Sequence, residues 1–195
     1  MVLGIASVPM TRMLQLAWTG VFPRKQVPDR SLLDPSVYPM RVLPQDLDLL
    51  MHVNNGSYLQ LMDVARFRHV AEMGGTALGR QKQFGAVVAA STMKYRRSLK
   101  LFDRFELTTR VLGWDERCFY MEQVFTRREK LCARGVVATR FLHSRTNDRI
   151  MPATVVELLA EAHGLASPPE SPALPDDVAA WARVVDVAPR GRVTV

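Results

Sequence analysis

Hydrophobic positions along the chain change their spacing between segments, and the spacing names the elements. From Asn54 to Gly75, "NNGSYLQLMDVARFRHVAEMGG" places apolar residues at Tyr58, Leu59, Leu61, Met62, Val64, Ala65, Phe67, Val70, Ala71 and Met73. That recurrence fits a helix. The apolar positions fill more than one stripe, so the helix is expected to be buried over most of its circumference. Asn54, Asn55 and Ser57 offer capping oxygens at its start, and Gly74-Gly75 supplies a stop. At about 1.5 Å per residue it would run roughly 27 Å, enough to cross a small domain.

Four segments downstream switch toward alternation: "FGAVVAASTMKYRRSL", "RFELTTRVLGWD", "RCFYMEQVFTR" and "KLCARGVVATRFLHS". Each is rich in β-branched or aromatic residues, which predicts strands. The breaks between them are short, which favours an antiparallel meander. Upstream, "MRVLPQDLDL" has strand character with a proline inside, as suits an edge or a bulge. The expected layout is therefore α+β: a strand, a buried helix, then four antiparallel strands wrapped around it. Residues 36–150 hold this domain. Residues 1–35 form an extension that ends in the proline-rich arm "FPRKQVPDRSLLDPSVYP", which runs on to Pro39. Residues 151–195 form a helical C-terminal extension. In it "IMPATVVELLAEAHGL" is an amphipathic helix, "ASPPESPALP" a linker, and "DDVAAWARVVD" a short helix capped by Asp176 or Asp177.

Length and composition agree with one folded domain: 195 residues, 48% hydrophobic and 23% charged. The net charge of +7 raises the possibility of an anionic partner, because only five of the 26 basic residues are lysines and 21 are arginines. No basic run or aromatic-rich basic strand accompanies the charge, so nucleic acid is not expected. Cys118 and Cys132 are not expected to face each other across a hairpin turning at Arg127–Lys130, and no CxxC is present. They are read as free thiols in a reducing, cytoplasmic compartment. The first 25 residues are broken by Pro9 and Arg12 and are too short to span a bilayer. An interfacial helix over Met10–Trp18, making a weak membrane-surface contact, stays open.

Candidate chemistry collects in "DLDLLMHVNN", Asp46 to Asn55. The first N–H groups of a helix lack intrahelical partners and carry partial positive charge, so they can polarise a carbonyl as an oxyanion site does. Asp48, just upstream, has the chemistry of a general base or a nucleophile, and His52 that of an orienting or binding residue. Two plainer readings stand beside this one. Asn55 can be a cap and nothing more, and a lone histidine is more often structural than catalytic. His52, His69, His143 and His163 are scattered without a metal-ligand spacing, and neither a P-loop nor a GxSxG elbow is present. Neither metal nor cofactor is therefore expected. Lys94, Arg96, Arg97, Lys100 and Arg104 form a basic cluster that is either a solvated edge or a clamp for phosphates.

The string "DLDLLMHVNNGSYLQLMDVAR", with the elements behind it, resembles the hotdog-fold thioesterases of the 4-hydroxybenzoyl-CoA thioesterase type and the acyl-ACP thioesterases. Through "YRRSLKLFDRFELTTRVLGWDERCFY" it also resembles the thioesterase-superfamily-member-six-like proteins. The resemblance covers about residues 38–153. It implies a single hotdog domain that pairs into a homodimer, or a dimer of dimers, with active sites at the subunit interface. It implies hydrolysis of an acyl-CoA or acyl-carrier thioester, CoA or the carrier entering as part of the substrate. Asp48 then matches the catalytic aspartate and His52 the active-site histidine of the acyl-ACP group. Asn54, Asn55 and Gly56 fall where backbone N–H groups hold the thioester carbonyl. Tyr58, Asp63, Ala65 and Arg66 match a helix motif in which Asp63 faces the site, and Lys94, Arg96, Arg97 and Lys100 fall where CoA phosphates would lie. One position departs: the acyl-ACP enzymes carry asparagine two residues after the aspartate, and here it is Leu50. That leucine leaves open a non-catalytic acyl-binding or scaffolding protein; hydratase chemistry fits the motif poorly. Leu49, Leu50 and Met51 are expected either to floor an acyl pocket or to pack in the core.

Overall fold

The computed structural model describes residues 26–27 and 30–189, so the expectation for Met10–Trp18 lies outside the described residues. The chain enters the fold with β1 (Ser36–Arg41) and a single 3-10 turn at Pro44–Asp46. The strand stops short of the proline: Pro44 has no N–H for a ladder and opens the turn instead. Helix α1 (Asn55–Glu72) follows, capped by Asn54, whose side chain accepts from the Gly56 N–H at 2.8 Å. The chain reverses through Gly74 at φ +76°, a conformation glycine adopts without strain. It then makes a second short helix, α2 (Gly75–Lys82), where only a helix stop was expected.

Strands β2 (Phe84–Tyr95), β3 (Arg104–Trp114), β4 (Phe119–Arg127) and β5 (Lys130–His143) are antiparallel as expected, but only β3, β4 and β5 run as a meander. β2 pairs with β5 rather than β3, because the segment after Tyr95 does not turn back. It passes the start of α1, where the Val53 N–H donates to the Leu99 carbonyl, and enters β3 beside β1. The sheet order is β1-β3-β4-β5-β2, and a two-residue β6 (Arg149–Ile150) adds to β5. β2 and β1 are thus the two outer strands, and α1 lies against one face. The register sets Phe119 opposite Thr139, which leaves Cys118 well away from Cys132; both thiols are free and buried. The helix approaches the sheet so closely at Gly135 that a Cβ there would stand 2.5–2.7 Å from side-chain atoms of Met62 and Met93.

Burial of α1 is wide but incomplete. Tyr58, Leu61, Met62, Val64 and Ala65 join Phe105, Leu107, Phe125 and Val137 in the main core, while Leu59 and Phe67 face solvent. The C-terminal extension is part of the same packing. Helix α3 (Pro152–Ala162) sets Val155 and Leu159 against Leu78 and Phe141, and α4 (Asp176–Val184) covers the opposite face of the sheet. There Val178 and Ala182 pack on Leu112, Tyr120, Val136 and Ala138. The cap of α4 is Pro175, not Asp176 or Asp177. Asp177 is engaged elsewhere, in a 2.5 Å ion pair with Arg134 that ties the helix to β5.

Candidate active site

The stretch from Asp46 to Asn55 folds as a tight hairpin-like loop that delivers the chain to α1. Leu47 and Val53 form an antiparallel bridge, the Asp48 N–H donates to the His52 carbonyl at 2.8 Å, and the Asn54 N–H donates to the Asp46 carbonyl at 2.8 Å. Within the loop the Asp48 side chain accepts through Oδ1 from the Leu50 N–H at 2.9 Å and from the His52 N–H at 3.2 Å. Both donors go to one oxygen, so Oδ2 is free of them. Leu50 therefore supports the carboxylate through its backbone, which any residue can supply, and the missing asparagine side chain is not needed to hold Asp48 in place. His52 also touches the carboxylate through its backbone N–H rather than its ring.

Asp48, His52, Val53, Asn55, Tyr58 and Tyr95 line a cleft of about 280 Å³, together with Arg96, Arg97 and Ser98. The start of α1 opens into it. The cap occupies the Gly56 N–H, and the Asn54 carbonyl accepts from Ser57 and Tyr58, which leaves the Asn55 N–H as the first-turn donor the cap does not use. Tyr58 is buried at the back, edge-on to Tyr95 and Phe125 at 5.1 and 5.0 Å. Burial pushes its hydroxyl up to about 12, against the lowering effect of a hydrogen bond with the Leu99 backbone. It is a neutral donor at any physiological pH. The loop carrying Lys100 is stitched on by the His52–Lys100 bridge and by the Val53 N–H to the Leu99 carbonyl at 3.0 Å.

The structure thus gathers Asp48, His52, Asn55, Tyr58, Arg96 and Arg97 around one cleft, with Lys100 on the adjoining loop. Asn54 and Gly56 belong to the cap and do not line it. Lys94 lies one step back along β2, opposite Arg134. Asp63 is elsewhere: it pairs with Arg66 on the rim of a second, larger cavity of about 600 Å³. Phe67, Val70, Phe84, Phe119, Phe141 and Leu159 give that cavity apolar walls. Leu49, Leu50 and Met51 line neither space and are exposed, contrary to a role in a pocket floor or core. The large cavity had no signature in the sequence, because its walls come from α1, α2, α3, β2, β4 and β5 and each contributes residues that also read as core.

Neither space suits a metal: among the described residues no group of three His, Cys, Asp or Glu side chains is placed to hold one. No helix among them is long and apolar enough to cross a membrane. A helix laid in a curled antiparallel sheet is the arrangement of the hotdog fold. A family model of the thioesterase-like superfamily matches residues 42–182, and the chain belongs to that superfamily. It is 34% identical over 163 residues to Protein THEM6 of Danio rerio, covering 84% of this chain and 76% of that protein. To Protein THEM6 of Xenopus laevis it is 36% identical over 157 residues, covering 80% and 72%. Among solved structures, the probable thioesterase YbaW of Escherichia coli superposes with a TM-score of 0.60 at 20% identity, over 67% of this chain and 98% of that one.

Proposed function

We propose that the chain hydrolyses acyl thioesters, with acyl-CoA as the substrate class. The observation that carries this reading is the Asp48 carboxylate, anchored at Oδ1 by two N–H groups of its own loop beside the opening turn of α1. A thioester carbonyl set against the Asn55 N–H would have its developing negative charge met by the helix N-terminus. Asp48 Oδ2 would take the proton of a water that adds to the carbonyl; collapse then expels the thiolate, which takes up that proton, and leaves the free acid. If Oδ2 adds directly, collapse expels the thiolate and leaves an anhydride on Asp48, which a water then hydrolyses to the free acid and the restored carboxylate. His52 borders the substrate, and Arg96 and Arg97, with Lys100 beside them, suit the phosphates of CoA.

The cleft is too polar to hold an acyl tail, and the apolar cavity has no comparable catalytic group; a second copy of the chain would join the two. β2 is a 12-residue outer strand paired on one side only, and Val87 and Val88 lie exposed on it. Such an edge calls for a cover. If two copies paired antiparallel along β2 about a two-fold axis, the Tyr95 end of one strand would lie beside the Phe84 end of the other. Tyr95 borders the Asp48 cleft and Phe84 borders the apolar cavity. Each catalytic cleft would then face its partner's cavity, and the acyl tail would cross the interface. The test is thiol release from acyl-CoAs by wild type and by Asp48→Asn, which keeps the Oδ1 acceptor and removes the charge. Near wild-type turnover in the variant would overturn the assignment of Asp48. Absence of thiol release from the wild type, with a measurable acyl-CoA Kd, would make the chain a binding protein.

A further inference from the structure

Leu49, Leu50 and Met51 stand at the tip of the Asp48 loop with exposures of 101, 76 and 57%. Three consecutive large apolar side chains held out of the core are unusual, and the loop is not slack. Its backbone is fixed by the Asp48 carboxylate, by the Met51 N–H donating to the Asp48 carbonyl at 3.1 Å, and by the bridge from His52 to Lys100. Met51 has φ +59°, where a methionine is strained and a glycine would not be. The fold buries none of Leu49 and only the lesser part of Leu50 and Met51, so most of this apolar surface is left for a use outside it. On the adjoining loop Phe102 is also half-exposed, at φ +62°, with the Arg41 guanidinium 4.8 Å from its ring centroid.

The same end of the molecule is strongly cationic. The register brings together the end of β1 at Arg41, the start of β3 at Arg104, and the β4–β5 turn with Arg127, Arg128 and Lys130. The segment after β2 adds Arg96, Arg97 and Lys100. The acidic groups among them are few and partly engaged: Asp103 pairs with Arg127 at 2.8 Å, Asp48 is held by its loop, and Glu106 and Glu129 are exposed. Apolar knobs ringed by arginine and lysine are complementary to an anionic phospholipid surface, where the knobs enter the acyl boundary and the cations meet the headgroups. A CoA phosphate site alone would need the arginines but not the leucines.

We propose that the Leu49–Met51 loop is an interfacial anchor that sets the mouth of the Asp48 cleft on an anionic membrane surface. The test places a polarity-sensitive dye on Leu49→Cys in the full chain. Cys118 and Cys132 are buried, so labelling of the native protein is confined to the loop. Vesicles of phosphatidylcholine with about one-third phosphatidylserine should shift the dye emission to the blue, and raised salt should reverse it. Pure phosphatidylcholine vesicles should produce little shift. Replacing Leu50 by Ser and Met51 by Ser in the labelled chain should raise the lipid concentration for half-maximal shift by about tenfold or more. Attachment through any other part of the chain leaves the dye unshifted, so an unshifted dye with anionic vesicles overturns the proposal. An equal shift with neutral vesicles removes the charge complementarity on which it rests. A shift that grows with protein concentration without lipid shows that a second copy covers the loop, and also overturns it.

Discussion

The cleft at the start of α1 is walled by an aspartate, a histidine, two tyrosines and two arginines; the cavity beside the second half of the same helix is walled chiefly by phenylalanines and aliphatic side chains. The first is about 280 Å³ and the second about 600 Å³, within the usual range of about 300–1,000 Å³ for small-molecule sites. One space has the groups for bond cleavage and no room for a long tail. The other has room and apolar walls, with its acid already paired to Arg66. Under the proposed activity a thioester would use both environments, so the separation teaches that chemistry and acyl recognition should be open to independent damage.

The largest effect is expected on the polar side. Asp48→Asn should lower kcat by about 10²-fold or more, since positioned general bases contribute about 10²–10⁴-fold. Acyl-CoA affinity, measured by calorimetry, should stay within a few-fold. If affinity and turnover fell together, the two spaces would not be separable. On the apolar side, Val70→Trp fills the cavity from α1. It should cut kcat/KM for long-chain acyl-CoA by about tenfold or more while leaving a short-chain substrate within about twofold. An equal loss for both chain lengths would place the tail elsewhere.

Mixing those two damaged chains asks whether the spaces cooperate across an interface. If catalytic cleft and cavity belong to different copies, a random mixture of Asp48→Asn and Val70→Trp chains gives mixed dimers with one wholly intact site. Subunit exchange should then restore about a quarter of wild-type long-chain activity. If each site lies within one chain, the mixture recovers nothing beyond the sum of its parts.

The sequence carried the fold because local and long-range signals agreed in it. The helix over Asn55–Glu72 and the four strands after Phe84 each had the right period, and short breaks made β3, β4 and β5 a meander. The break "KLFD" misled: β2 pairs with β5 and not with β3, and a short link alone does not show that the chain crosses the helix start instead of turning back. Helix α2 was missed because "GTALGRQK" has two glycines, low apolar content and no cap. That Asp48, His52 and Asn55 would gather at one cleft was legible from the logic of a helix start. Support of the carboxylate by backbone N–H groups was not, since backbone donors leave no trace in residue identity; that is why Leu50 looked like a deficit. Asp63 was expected to face the site; it lies beside the larger cavity, which in the proposed pair of copies meets the partner's cleft, and the direction of α1 relative to β2 that puts it there is not written in the residues.

The element both spaces share is α1, and its far half is held by a buried polar group that predicts the remaining effect, one on stability. Ser36 Oγ lies 2.6 Å from His69 Nδ1 and 3.0 Å from Glu72 Oε2, while Arg30 and Arg68 each reach Glu72 at 2.7 Å. A hydroxyl has one hydrogen; given to the Glu72 carboxylate, it leaves the Ser36 oxygen to accept from the His69 Nδ1–H. His69 Nε2 is buried without a partner, so a proton there would have no acceptor. Burial first, and the Arg30 charge second, hold the imidazole down to about 4, although Glu72 pulls the other way. In the unfolded chain the same group takes its proton near 6.5. The unfolded state therefore binds more protons between those values. His69 contributes its full stability above about pH 6.5 and loses it as the pH falls to about 4, about 3 kcal/mol in all. Thermal melts across that window should show a falling Tm in the wild type, and a shallower fall in His69→Asn, whose side chain at position 69 takes no proton there. Parallel slopes would mean that His69 is not the group responsible, and that α1 is held at low pH by Glu72 and its two arginines alone.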